Sequence, residues 1–263
     1  MRTAIIRNFS TIITALFLSL SINATEAKGQ KPSSAFRVIS YNIWIGFKVN
    51  PSRKAKLDPA RLKLAKQWIA AKNPDVVALQ ELNGFSEQQL AVMAKTWGHE
   101  YVKLCNSKSA YNVGITSKTP LSNISVYEER NNNNPYMHGL IIAQTRGVDF
   151  VVLHHNPFKT KDRLHEQQHI LNQVEILKQK STNIILLGDF NSRSQADGKG
   201  DTVVMDNYHA AGLDDLVSSK GKPDAPSRGS FPTAILKKGY QASGRIDYIL
   251  ATPPWPSNVF TLK

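Results

Sequence analysis

The chain has 263 residues, 41% of them hydrophobic, and its 33 Lys and Arg against 20 Asp and Glu give a formal net charge of +13. That length holds one large domain or two small ones and the apolar share is ample for a core, while a lone cysteine, Cys105, excludes an intrachain disulfide. The fold must therefore stand on its core, with bound metal as a further support, and its basic surface attracts polyanions such as nucleic acid or an anionic membrane, although exported proteins are often basic without binding either.

Residues 1–27 read as a signal peptide. Arg2 and Arg7 precede an apolar stretch from Ile12 to Ile22 that is short for a membrane span, and Ala24 and Ala27 offer cleavage points. An uncleaved anchor is the alternative. Residues 28–35 are a polar, flexible leader, and one folded domain occupies 36–263. A strand runs from Phe36 to Asn42. Asp58 caps a helix with Pro59 at its first position and Leu62, Ala65, Trp68 and Ile69 as its apolar stripe; the helix stops before Asn73-Pro74. A strand ends at Glu81. Ser86 caps a second helix, to Trp97, and Gly98 suits its end. Strands follow at 101–104, 112–117 and 124–128, then a polar loop over Asn131–Asn134 closed by Pro135. Residues 140–145 and 149–154 form a hairpin turning at Arg146-Gly147. A helix over 161–180 leads into a strand ending at Asp189. Ser192–Gly200 is a loop, His209–Val217 a short helix, Pro223–Gly229 irregular and Arg245–Leu250 the last clear strand. There are no repeats. Strands that mostly arrive as neighbours, with helices interposed at three places, suit two stacked sheets flanked by helices.

Four apolar strands end in a polar residue: Asn42, Glu81, His154 and Asp189. Strand side chains alternate with period two, so Glu81 is in phase with Leu79 and Val77, His154 with Val152 and Phe150, and Asp189 with Leu187 and Ile185. A carboxylate beside a buried strand is costly unless it is paired, hydrogen-bonded or metal-linked. If these rows face one core, their polar ends meet at its mouth, and with Asn191 they make a composition suited to a hard cation and a phosphate.

Six short segments now stand in order: Ser40-Tyr41-Asn42, Leu79-Gln80-Glu81, Val113-Gly114-Ile115-Thr116-Ser117-Lys118, Leu153-His154-His155-Asn156-Pro157, Gly188-Asp189-Phe190-Asn191 and Arg245-Ile246-Asp247-Tyr248-Ile249. In these the chain resembles the endonuclease/exonuclease/phosphatase superfamily, which includes pancreatic-type deoxyribonucleases, abasic-site endonucleases, bacterial sphingomyelinases and inositol phosphatases. The Leu-His-His-Asn-Pro segment resembles the secreted deoxyribonuclease branch and favours His154 over His155. The resemblance implies an α/β (α+β) four-layer sandwich, two stacked and mainly antiparallel β-sheets flanked by helices. It implies hydrolysis of a phosphodiester with Mg²⁺, or Mn²⁺ or Ca²⁺, by a secreted or periplasmic monomer acting on nucleic acid. The alternatives are a phosphatase or phosphodiesterase for lipid or sugar phosphates, and a catalytically impaired binding homologue. The last is motivated by one departure: the family closes with a strand and a Ser-Asp-His motif, whereas no Asp-His pair follows Asp247 in the sequence as given.

In this reading Glu81 is the metal ligand and Asn42 orients Glu81 or a metal-bound water. Asp189 positions or activates water, or protonates the leaving oxygen. Asn191 holds a non-bridging phosphate oxygen, and His154 donates to the phosphate as charge develops. Asp247 pairs with His154, fixes its tautomer and raises its pKa. Asn112, His138 and Arg245 are candidates for the substrate wall, the ordinary reading of His138 being a satisfied buried histidine. A rival motif, His165-Glu166-Gln167-Gln168-His169, matches a zinc-protease signature, but both histidines flank the helix's apolar row of Leu164, Leu171, Val174 and Leu177.

Overall fold

The computed structural model describes residues 36–49, 56–131, 134–195, 201–216 and 245–253. The expected signal peptide and leader, the irregular 223–229 segment and everything beyond 253 lie outside the described residues. Among the described residues there are two sheets. The smaller has strands β1 (Val38–Asn42), β2 (Val76–Gln80), β3 (Tyr101–Cys105) and β4 (Val113–Ser117) in the order β1-β2-β4-β3. The larger has β5 (Ser122–Tyr127), β6 (Leu140–Thr145), β7 (Val148–His154), β8 (Ile184–Asp189), β9 (Asp214–Asp215) and β10 (Asp247–Ala251) in the order β5-β6-β7-β8-β10-β9. Among the described strands only β1–β2 and β7–β8 are parallel pairs. The two sheets stack through Val38, Ala78, Ile115, Phe150, Leu187 and Ile249. On the outer face of the small sheet lie α2 (Pro59–Lys72) and α3 (Glu87–Ala94), and on that of the large sheet α4 (Thr160–Lys178) and α5 (Val203–Ala210). This is the expected four-layer sandwich.

Local chemistry sets the element ends. The Asp58 carboxylate accepts from the N–H groups of Ala60 and Arg61, and Asn73 closes α2 in the left-handed region. Ser86 and Gln89 form a reciprocal capping box on α3. Arg146 and Gly147 both have positive φ, as a two-residue hairpin turn between β6 and β7 requires. Cys105 is fully buried, and burial pushes its thiol up to about 12, so it behaves as the small hydrophobe it was expected to be.

One element differs. The helix expected over 209–217 is absent; α5 covers Val203–Ala210 instead, and β9 follows it. Val204, Met205 and Tyr208 share the face of α5 that packs on the large sheet, and Gly212, at φ 77°, turns the chain from helix to strand. The polar run before Val203 obscured the helix start.

Candidate functional site

The site forms where the inter-sheet rows reach the sheet ends. His154 continues the row of Phe150 and Val152, Asp189 that of Ile185 and Leu187, and Asp247 that of Ile249 and Ala251; all these apolar residues lie between the sheets. In register, His154 faces Asp189 across the β7–β8 pair, and Asp189 faces Asp247 across β8–β10. Three functional groups thus stand side by side on neighbouring strands. Glu81 reaches the site by another route. Its in-phase partners Val77 and Leu79 face the helices rather than the opposite sheet. The strand ends at Gln80, and Glu81 takes a left-handed backbone, φ 61°, that swings its carboxylate back toward Asn42. The phase argument for Glu81 was therefore wrong even though the residue arrives.

Asn42 clamps the centre. Its amide Nδ2 donates to Glu81 Oε1 at 3.0 Å and to Asp189 Oδ2 at 3.0 Å, joining the small sheet to the large one. Its Oδ1 accepts from the Trp44 N–H at 2.9 Å. The second Glu81 oxygen accepts from the Ile45 N–H at 2.7 Å, and Asp189 Oδ1 from the Asn191 N–H at 2.8 Å. Burial raises the Glu81 pKa against these bonds, with Asp189 adding to the rise. Burial also pushes Asp189 up to about 6. Gly188 permits the close β7–β8 approach, because a Cβ there would sit 1.9 Å from the Leu153 carbonyl oxygen.

The donors on Glu81 come from an unusual backbone. The four-residue turn α1 (Trp44–Phe47) has positive φ throughout: 51°, 48°, 66° and 59°. Three of these residues carry side chains, at about 1–2 kcal/mol each for the left-handed conformation. Ile45 and Phe47 are buried, which leaves Trp44 on the wall of a cavity of about 300 Å³ that also exposes Glu81, His154, Asp189, Asn191 and Asp247.

His154 and His138 stack at 4.3 Å between ring centroids. Burial, then the neighbouring histidines, lowers both to about 3, so both rings are neutral and stack without repulsion. This corrects two expectations. The pKa of His154 falls rather than rises, because the ring is desolvated. Its carboxylate neighbour is Asp189, Nε2 to Oδ2 3.8 Å, since Asp247 is one strand further away in the register; among the described residues no hydrogen bond joins Asp247 to His154. His138 does line the cavity, with Nδ1 on Ser109 Oγ at 2.8 Å. Asn191 lines it too, with Nδ2 bound to the His155 carbonyl at 2.8 Å. Asn112 and Arg245 do not. Asn112 is buried behind the wall on Asn106 and Ser107, and the Arg245 guanidinium is paired with Asp215 and stacked on Tyr248. Both are committed to the scaffold, so their expected places on the substrate wall are corrected.

Glu166 was passed over as part of the zinc-like motif. It is buried, and its carboxylate accepts from Met137 N–H at 2.8 Å, His155 Nδ1 at 2.8 Å and Asn156 N–H at 2.9 Å. His155 Nε2 meets the Tyr208 hydroxyl at 2.9 Å. One carboxylate thus ties α4 to the segments carrying His138 and His154. Its signal in the sequence was its place on the inward face of α4, beside Gln167 and Ile170. His165 and His169 lie off that face, and among the described residues no group of three His, Cys, Asp or Glu side chains has metal-holding geometry.

Glu81 is half-buried and Asp189 buried; among the described residues neither has a Lys or Arg in ion-pair distance, although Arg61 and Arg163 act on them from further off, and the pKa of His154 beside Asp189 is lowered by burial. Closely held negative charge of this kind is stabilised by a counter-ion. Two carboxylates and an amide, without a closed cage, fit Mg²⁺, which keeps several of its waters.

A family model described as the Endonuclease/Exonuclease/phosphatase family matches residues 39–260. Among solved structures the fold is similar to that of a 3′ phosphatase from Neisseria bound to product DNA hairpin, with a TM-score of 0.59, 20% identity and coverage of 74% of this chain and 82% of that one. It is similar to a 3′–5′ exonuclease from Neisseria meningitidis, with a TM-score of 0.57, 21% identity and coverage of 73% and 82%. An AP endonuclease from Archaeoglobus fulgidus gives a TM-score of 0.54, 20% identity and coverage of 74% and 82%. No curated protein matches the chain. With the family match spanning the sandwich and the clamped carboxylates at its mouth, the chain belongs to the endonuclease/exonuclease/phosphatase family.

Proposed function

We propose that the protein is a divalent-metal-dependent phosphodiester hydrolase, exported from the cell and acting on nucleic acid. The observation that carries this is the Asn42 clamp, which holds two carboxylates, half-buried Glu81 and buried Asp189, on one amide, with no Lys or Arg in ion-pair distance of either among the described residues. Glu81 would hold Mg²⁺, or Mn²⁺ or Ca²⁺, with Asn42 orienting the carboxylate and Asp189 alongside. When bound, the cation supplies charge neutralisation of the phosphoryl oxygens. Asp189, fixed by Asn42 and the Asn191 backbone, orients the attacking water. Asn191 spends one amide N–H on His155 and offers the other to a phosphoryl oxygen. His154 donates its N–H as charge develops on the phosphate. Asp247, across the strand pair from Asp189, adds a further acceptor at the same wall.

The net charge of +13 supports a polyanionic substrate. One structural neighbour carries a product DNA hairpin and another is described as an AP endonuclease. The basic and apolar N-terminal stretch supports export. A second reading, action on phosphomonoesters, is supported by the neighbour described as a 3′ phosphatase.

The test is hydrolysis of plasmid DNA, bis(p-nitrophenyl) phosphate and p-nitrophenyl phosphate with Mg²⁺, with and without chelator, for the unmodified protein and Glu81→Gln. Diester cleavage that stops on chelation and falls by about 10²-fold or more in Glu81→Gln is the expected result. Turnover indifferent to chelator overturns it. Added salt should depress plasmid cleavage far more than cleavage of the small diester. Plasmid binding without turnover would identify a binding homologue.

A further inference from the structure

Trp44 has no role in the scheme above, yet the structure builds an elaborate support to present it. The left-handed turn that contains it is pinned at three points: Trp44 N–H to Asn42 Oδ1, Ile45 N–H to Glu81 Oε2, and Gly46 N–H to the Glu81 carbonyl at 2.8 Å. Gly46 is required there, because a Cβ would lie 2.4 Å from the Asn83 carbonyl oxygen. Ile45 and Phe47 anchor the turn in the core, and Arg61 braces it from behind. The Arg61 guanidinium donates to the carbonyls of Ile43 at 3.0 Å and Lys48 at 2.8 Å, and lies 5.3 Å over the Trp44 ring. The indole is therefore fixed in place, one face covered by Arg61, in the wall of the cavity that holds the carboxylate pair. Strained backbone that persists under such over-determination points to use. Tyr111, His138 and Phe158 line the same cavity, and the Phe158 ring is 75% exposed. The cavity thus offers a carboxylate floor that would receive a phosphate through a bound cation and aromatic walls for something planar.

We propose that Trp44 is a stacking platform for the nucleobase attached to the phosphate at this site, so that the substrates are nucleoside phosphates rather than sugar or lipid phosphates. This rests on the phosphodiester-hydrolase reading and narrows it. A base has a flat π-face of the size of the indole, and stacking of this kind tolerates every base. A lipid chain or a bare sugar gains little from a rigid planar wall.

The experiment compares thymidine 5′-monophosphate with 2-deoxyribose 5-phosphate, which keeps sugar and phosphate and lacks the base. Binding of each is measured by calorimetry with Ca²⁺ for the full chain, Trp44→Phe and Trp44→Leu, with circular dichroism to establish folding. The unmodified protein should prefer the nucleotide by roughly five- to 150-fold, the range of one stacked base. Trp44→Phe should keep most of that preference, and Trp44→Leu should bring the two ligands close to equal while leaving 2-deoxyribose 5-phosphate unchanged. Equal binding of the two ligands by the unmodified protein overturns the stacking role and leaves the hydrolase reading standing, whether or not Trp44→Leu folds. A preference that survives in Trp44→Leu, or an equal loss for both ligands, also overturns it, the second outcome making Trp44 a cover for the carboxylates. Binding of neither ligand overturns the stacking role as well, while the hydrolase reading stands or falls on the plasmid and diester assays.

Discussion

Replacing Glu166 by Gln tests the buried hub behind the site. The carboxylate accepts three hydrogen bonds, from Met137, His155 and Asn156, and has almost no contact with solvent. Gln has the same size but one acceptor oxygen. Its better orientation keeps that oxygen on His155 and Asn156 and turns an NH₂ against the Met137 N–H. One bond to a charged acceptor is lost, worth about 1.5–3 kcal/mol, a donor meets a donor, and the two remaining bonds weaken as the charge goes. A loss of about 3 kcal/mol follows, a large share of the about 5–15 kcal/mol that holds a domain together. Glu166→Ala orphans all three donors and should cost about 3–9 kcal/mol. The assay is equilibrium urea denaturation followed by circular dichroism. Thermal melting of Glu166→Gln should show a midpoint lower by about 6–12 °C. A change below about 0.5 kcal/mol for Glu166→Gln would refute the hub, since no buried charged network tolerates loss of an acceptor so cheaply.

Three further outcomes are expected. Asn42→Asp sets a third carboxylate against Glu81 and Asp189, so its melting temperature should fall in chelator and recover with Mg²⁺ by more than Mg²⁺ adds to the unmodified protein; equal gains would count against the clamp as a cation site. Gly188→Ala places a Cβ against the Leu153 carbonyl 1.9 Å away and should force β7 and β8 apart, which soluble yield and circular dichroism will register; a normal melt would refute the close approach. Buried His99, whose Nε2 must donate to the Pro74 carbonyl, has its pKa lowered chiefly by desolvation. A depressed histidine contributes stability that is present above its unfolded pKa of about 6.5 and is lost as pH falls from there toward the folded value, at up to about 1.4 kcal/mol per pH unit. His99→Asn should flatten the stability profile below pH 6.5; an unchanged slope would exclude His99 as a cause.

Much of the site could be read from strand phase. Period two carried His154 and Asp189 to the inter-sheet rows because nothing interrupts those strands before their last residue, whereas Asp247, which opens β10, was legible only through the family resemblance. The same rule misplaced Glu81, since periodicity identifies two faces of a strand but not which one meets the other sheet, and the φ reversal that redirects Glu81 leaves no mark in composition. The Asp247–His154 pairing failed because strand order, β7-β8-β10, is a long-range property that interposes Asp189. Arg245 and Asn112 looked like wall residues beside functional segments, and their partners, buried Asp215 for one and Asn106 for the other, depend on contacts no local pattern encodes. Helices α2 and α3 were legible because Asp58, Pro59, Ser86 and Gln89 declare their starts, whereas α5 begins after a polar run with no side-chain cap.

The amide of Asn42 reaches from one leaf of the sandwich to a carboxylate 147 positions later on the other. A folding intermediate with only one leaf formed therefore possesses half of the proposed cation site. A cation bound as proposed would hold the leaves shut, so depletion of divalent ions should quicken amide exchange first at β1 and β8, the edge strand and the inner strand that this one side chain stitches together.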